Sequence, residues 1–300
     1  MINLILVFVC MILGIGLRRV KSLPQDAHTT LNTLILYVPL PAVILLTLPH
    51  LEWNLNLITL CLVAWIIFAL SYLLFSFLGR KYEWDDKITG CLIITAGLCN
   101  SSFVGFPIIE ALFGKEALKH AVLIDQPGSF LIVSSIGMWV AGKFSFGPIP
   151  KRLLLKRIFT FAPFMAFLTA LCMCLLGIEA RGLTQEILER LGSTLTPLAL
   201  ISVGLQLRFS GIKEDFKYLA LGLGYKLMIA PLIIYCIYQY VDLPRQVFQI
   251  VVMESAMAPM ITGAILAASH GLHPRLAGMM VGIGVPLSFL TLGFWYWVIK

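Results

Sequence analysis

Apolar residues run in long blocks along this chain, and polar residues gather in short breaks between them. The blocks fall at about 2–17, 29–48, 55–79, 88–113, 118–141, 154–177, 187–207, 217–240, 245–269 and 276–299. Each comes close to the roughly 20 apolar residues that an α-helix needs to cross the hydrocarbon core of a bilayer. The pattern therefore predicts an all-α polytopic membrane protein of about ten transmembrane helices. No Gly/Ser linker or low-complexity tract interrupts the series, and no break has room for a soluble domain.

Composition agrees. The chain is 59% hydrophobic and 12% charged, with a mean hydropathy of +0.94, whereas a soluble domain carries about 25% charged residues. The seven cysteines lie inside apolar blocks, where a thiol packs as a small hydrophobe. Cys172 and Cys174 are too close for a zinc pair and the total is odd, so neither a metal nor a disulfide is expected. The first block has no basic residue before it and is followed by Arg18, Arg19 and Lys21, which predicts a retained helix rather than a cleaved signal.

Basic residues set the expected orientation. One set of alternate connections holds fifteen Lys and Arg, including Arg80, Lys81, Lys143, Lys151, Arg152 and Lys213; the other holds six. The richer side is predicted to be cytoplasmic, with both termini outside a cytoplasmic (inner) membrane. The net charge of +7 is then mostly a topology signal, and no basic patch points to nucleic acid.

Helix-breaking prolines recur at matching places in the two halves. Pro39 and Pro41 in the second block correspond to Pro197 in the seventh, Pro107 in the fourth to Pro259 in the ninth, and Pro127 in the fifth to Pro286 in the tenth. The near-constant offset predicts two five-helix units, 1–146 and 147–300, within one membrane domain. Five is odd, so the second copy would cross in the opposite sense, the plan of many secondary transporters.

Two blocks carry the candidate chemistry. The fourth contains Asn100-Ser101-Ser102-Phe103-Val104-Gly105-Phe106-Pro107, and the ninth contains Glu254-Ser255-Ala256-Met257-Ala258-Pro259. Polar side chains and a proline at mid-membrane predict broken helices whose free ends face a cavity, because lipid cannot satisfy the freed backbone groups. Half-helix N–H groups favour an anion and half-helix carbonyls a cation. The candidate substrate-binding residues are Asn100, Ser101, Gly105, Pro107, Ala258 and Pro259. Lys226 and Glu254 are the deepest ionisable residues and, with Asp125, the candidates for ion coupling, since intramembrane charge is expensive. Glu110 lies four residues before Gly114 and is expected to reach the interface.

At these residues the chain resembles the auxin efflux carrier family. Asn100, Gly105, Pro107 and Gly114 fit its Asn-x4-Gly-x-Pro pattern. Pro197-Leu198-Ala199-Leu200 followed by Gly204 and Leu207 looks like its seventh-helix signature, and Lys226 with Pro231 is similar to a basic residue and proline of its eighth. The resemblance implies two inverted five-helix repeats related to the sodium–bile acid symporters, with the fourth and ninth helices crossing at the substrate site. It also implies helices 1, 2, 6 and 7 as a separate panel, small carboxylates of the malonate, malate or auxin kind as substrates, and homodimers in some members. The long cytoplasmic loop of many plant members is absent.

The expected function is transport of a small organic anion by alternating access, with the bilayer, the anion and, as the resemblance implies, a second copy of the chain as partners, and no nucleic acid. No cofactor is expected beyond a coupling proton or sodium ion. The alternative is a sodium- or proton-coupled symporter with its cation site at Glu254 and Asn100. An enzyme is not expected: the chain lacks His-Glu-x-x-His and Gly-x-Ser-x-Gly, and has no paired aspartates in suitable segments.

Overall fold

The structure, a computed structural model, describes residues 2–20, 22–24, 26–51, 55–145, 159–206 and 212–300, and among these every regular element is helical. In the first half the α-helices are α1 (Ile2–Leu17), α2 (Ala27–Tyr37), α3 (Pro39–Thr47), α4 (Leu62–Lys81), α5 (Asp86–Gly97), α6 (Phe106–Phe113), α7 (Leu118–Ile124), α8 (Leu131–Ser134) and α9 (Ile136–Lys143). The second half holds α10 (Ala162–Leu176), α11 (Leu183–Gly192), α12 (Leu195–Gln206), α13 (Ile212–Gly224), α14 (Ala230–Tyr238), α15 (Arg245–Ser255), α16 (Ile261–Ser269) and α17 (Pro274–Ile299). The predicted unit boundary at 146 and 147 lies outside the described residues, as do Lys151, Arg152 and the start of the sixth block.

Among the described residues, five stretches are long and apolar enough to cross a membrane: 27–50, 58–81, 115–143, 215–238 and 274–299. The fourth and ninth blocks do not qualify as continuous helices, because each is cut in two near its middle. Prolines explain several of the cuts. Pro39 lacks an N–H and takes the first position of α3, so α2 stops at Tyr37. Pro41 lies inside the first turn of α3, where a missing N–H costs little, and it makes no second break. Pro197 likewise occupies the first turn of α12, with the interruption before it at Ser193 and Thr194. The tenth block departs from the expected symmetry, since α17 runs unbroken through Pro286.

Among the described residues, three wider, π-helical turns stand in the fourth, fifth and eighth blocks: Ser101–Gly105, Asp125–Phe130 and Tyr225–Ile229. Such turns cluster at functional positions, and here each contains or precedes a proline. Freed carbonyls must find donors within the protein. Pro231 cannot donate to the carbonyl four residues back, and the Trp295 indole donates to that Leu227 oxygen instead (2.9 Å). The Trp65 indole donates in the same way to the Pro127 carbonyl (2.9 Å).

The helices pack in two groups. In one, α1 lies along α12, α12 on α2, and α3 against α10 and α11. The α1–α12 contact is a close backbone approach: a Cβ built on Gly14 would stand 2.9 Å from the Gly204 Cα, so only glycine fits. In the other group α4 pairs with α5, and α17 packs on α5, α13, α15 and α16. The groups meet where α1 touches α6 and where α12 touches the Ser101–Gly105 turn. That seam carries the candidate site.

Candidate functional site

The two mid-membrane breaks meet each other. Leu98–Asn100, between α5 and the Ser101–Gly105 turn, runs antiparallel to Ala258–Met260, between α15 and α16. The Asn100 N–H donates to the Ala258 carbonyl (2.9 Å) and the Met260 N–H to the Leu98 carbonyl (3.2 Å), flanking a Cys99–Pro259 pair. Proline fits the unbonded middle position because no N–H is needed there. Each break thus supplies the backbone partners that the other lacks. Beyond the pairing, the Asn100 carbonyl accepts from the N–H groups of both Val104 (3.2 Å) and Gly105 (3.0 Å), which winds the next turn wide.

The crossing places four helix ends together. The carbonyl ends of α5 and α15 and the N–H ends of the 101–113 segment and α16 converge on one point, two of each sign. Lys226, fully buried, caps one of the negative ends: its ammonium donates to the Ser255 carbonyl at the end of α15 (2.7 Å) and to the Cys99 Sγ (3.2 Å). Cys99 therefore does more than fill space, contrary to the expectation for the cysteines. Its place beside Asn100 in the break was the available signal. The Tyr225 hydroxyl, one residue away, donates to the Ile67 carbonyl (2.6 Å) and fixes the turn that aims Lys226.

Glu254 is also fully buried, and neither of its carboxylate oxygens has a hydrogen-bond partner. They lie against Gly105, where a Cβ would come within 2.6 and 2.8 Å of them, so the glycine makes room for the carboxylate. Ser101 is close enough to act on Glu254, yet its hydroxyl completes no hydrogen bond. Asn100 is buried with its Nδ2 donor unpaired. Pro107, in the first turn of α6, and Ala258 are buried in the same cluster.

Asp125 approaches from the fifth span. Its Oδ2 accepts from the Ser102 hydroxyl (2.5 Å) and from Gln126 Nε2 (2.7 Å), while Oδ1 has no partner. Ser102 thus ties the fifth span to the crossing. A cavity of about 410 Å³ opens beside it, lined in part by Ser102, Asp125, Gln126, Phe130, Met260 and Thr262, and by Ser269 and Met138 toward the Lys143 end of α9. It stops short of Asn100, Ser101 and Glu254. Sequence reasoning singled out none of the hydrophobic lining residues, because Phe130 and Met260 read as ordinary apolar positions.

Glu110, expected at the interface, also makes a contact between helices. It is half-buried and accepts from the Thr196 hydroxyl (2.7 Å), linking α6 to the turn of α12 that holds Pro197. Among the described residues, no group of three His, Cys, Asp or Glu is arranged to hold a metal ion.

Known proteins match this chain along nearly its whole length. The profile of the family described as membrane transport protein matches residues 1–143 and 148–296. An uncharacterized transporter of Methanothermobacter thermautotrophicus is 28% identical over 96% of this chain and 95% of its own length. One from Methanocaldococcus jannaschii is 22% identical over 98% and 97%, and YfdV, an uncharacterized transporter of Escherichia coli, is 21% identical over 99% and 96%.

Lys226 is the donor that completes the α15 end. Lys226→Met keeps an apolar stem but leaves the Ser255 carbonyl buried without its charged donor, a cost of about 1–3 kcal/mol. The thermal unfolding midpoint of the detergent-solubilised protein is expected to fall accordingly. An unchanged midpoint in a variant shown to keep Lys226's neighbours in place removes the capping role.

Proposed function

The chain belongs to the membrane transport protein family, that of the auxin efflux carriers, and we propose that it is a secondary carrier moving a small organic anion by alternating access about the crossing of its two broken helices. The observation that carries this reading is the pairing of the breaks, with unpaired polar donors buried beside it. An N–H-rich pair of helix ends, the free Asn100 Nδ2 and the free Ser101 hydroxyl form a place where a carboxylate would find partners and water is scarce. The ten-span plan of two inverted repeats, 1–146 and 147–300, is part of the proposal. It rests on the matched prolines and on the equivalent positions of the two breaks.

The carrier reading includes coupling to a proton or sodium ion. Lys226 carries one positive charge into the crossing, and Glu254 and Asp125 would bring two negative charges if both ionised, leaving a net charge of −1 before any anion arrives. Uncompensated charge at that depth is costly. A proton or metal cation that moves with the substrate would relieve it.

Orientation follows the basic residues, with both termini outside and the 142–153 connection in the cytoplasm. A cysteine placed in that connection is expected to react with an impermeant thiol reagent only after the membrane is opened. Labelling in intact cells reverses the topology.

The substrate assignment is tested through Asn100. A hydrogen bond from its amide to a carboxylate contributes about 1.5–3 kcal/mol, so Asn100→Ala should weaken binding of the transported acid about tenfold or more. The measurement is counterflow of labelled mono- and dicarboxylates, malonate and malate among them, in proteoliposomes. If the variant inserts stably and exchanges the acid with unchanged affinity, Asn100 is structural and the anion sits elsewhere.

A further inference from the structure

The cavity beside the crossing presents a conflict to the anion it is proposed to admit. Asp125 is the one charged side chain among its described lining residues, and no Lys, Arg or His joins it. Hydroxyls of Ser102, Ser134, Thr262 and Ser269 make up much of the remaining polar lining. A carboxylate entering this space would face another carboxylate, with no cation between them among the described residues. Two carboxylates that share a poorly hydrated site do not both stay ionised.

The hydrogen bonds around Asp125 say where the relief would come. Both of its fixed donors, Ser102 and Gln126 Nε2, act on Oδ2. Oδ1 is buried and unpartnered, and so is the Gln126 Oε1 beside it. Asp125 lines the cavity, and its unpartnered acceptor is a seat for a proton that becomes a donor once protonated.

We propose that Asp125 Oδ1 carries a proton whenever the anion is in the cavity, and that the O–H donates to the substrate carboxylate, so that one proton crosses with each anion. This rests on the organic-anion reading above. The proton comes from water on the side of entry. Asp125–COOH and the carboxylate then form one O–H···O hydrogen bond, no other bond changes, and the proton returns to water when the anion leaves on the far side.

Among the described residues, no other carboxylate, imidazole, ammonium or thiol lines the cavity. Of the elements packed on the Asp125 turn, α7 brings Lys119 and His120, α4 brings Tyr72, Arg80 and Lys81, and α10 brings Cys172 and Cys174. Cys61 ends the short helical segment that also touches the turn. Lys119 is held by the His50 carbonyl and Glu116, Tyr72 accepts from Lys143, and Arg80 and Lys81 lie in the last turn of α4. Across the crossing, Glu254 and the Cys99 thiol are within electrostatic reach of Asp125. Neither lines the cavity. Lys226 is committed to Ser255 and Cys99.

The test is equilibrium binding of labelled malate, malonate and monocarboxylates to the full-length protein in nanodiscs, over about pH 6.5 to 8, where free carboxylic acids are largely ionised. With one shared proton, affinity is expected to rise about tenfold for each pH unit lowered within the titrating range. Asp125→Asn presents a permanent amide donor and should bind with a flat pH profile. Asp125→Glu keeps the titration and should keep the slope, which separates the proton from a merely structural role. The whole series is repeated with sodium replaced by choline.

A wild-type profile that is flat with pH, or a slope that survives in Asp125→Asn, overturns the shared proton and leaves the carrier reading standing. So does binding that requires sodium at constant pH, which would place a metal cation where the proton is proposed. If no carboxylate binds at any pH while a quaternary ammonium does, and more tightly as pH rises, both this proposal and the anion reading fall.

Discussion

Backbone hydrogen bonding in hydrocarbon is the constraint from which the rest of this structure follows. A helix interrupted at mid-membrane exposes N–H and C=O groups that lipid cannot satisfy, at several kcal/mol for each group. One interruption alone would be ruinous. Two at the same depth solve the problem jointly, because the extended residues Leu98–Asn100 and Ala258–Met260 pair as a minimal antiparallel ladder. The small residues around the crossing follow from that pairing. Gly105 leaves space for the Glu254 carboxylate, and at Gly284 an added Cβ would press on Pro259 (2.7 Å).

Once the backbone is settled, the charges fall into order. Four helix ends at one point cancel to first order, and Lys226 is spent on the carbonyl end of α15. What remains unpaired is informative by its sign and place. A donor at Asn100 and a bare carboxylate at Glu254 lie behind the crossing, and an open oxygen of Asp125 lies beside the cavity. In the proposed carrier the donor serves the anion, and the Asp125 oxygen supplies the proton that lets the anion approach. The Glu110–Thr196 hydrogen bond ties the crossing group to α12 at a distance from the cavity.

Much of this was legible in the sequence because proline and intramembrane charge are loud signals. Pro107 and Pro259 located both breaks, and Asn100, Glu254, Asp125 and Lys226 stood out as polar residues inside apolar blocks. Membership of the auxin efflux carrier family was readable from the same residues. Partners were harder to read than positions. Lys226 stands out as a buried charge, but its partners, the Ser255 carbonyl and Cys99, depend on a wide turn at Tyr225–Ile229 that no residue spacing announces. Pro286 looked equivalent to Pro127 by offset, yet α17 absorbs it without interruption while the fifth span widens. The cavity walls were invisible because Phe130, Met138 and Met260 differ from core residues only in what they face.

The most direct measurement uses the pairing itself. Cys99 and position 259 occupy the unbonded positions of the antiparallel pair, where Cα atoms stand about 4.5 Å apart, within reach of a disulfide. Pro259→Cys, in a chain whose other cysteines are replaced, is inserted into membranes and oxidised mildly. Mass spectrometry of the digested protein should find residue 99 joined to residue 259 in most molecules. Two free thiols at those positions, in a protein that is folded and inserted, would mean that the two broken helices do not meet, and the carrier built on their crossing would have no site.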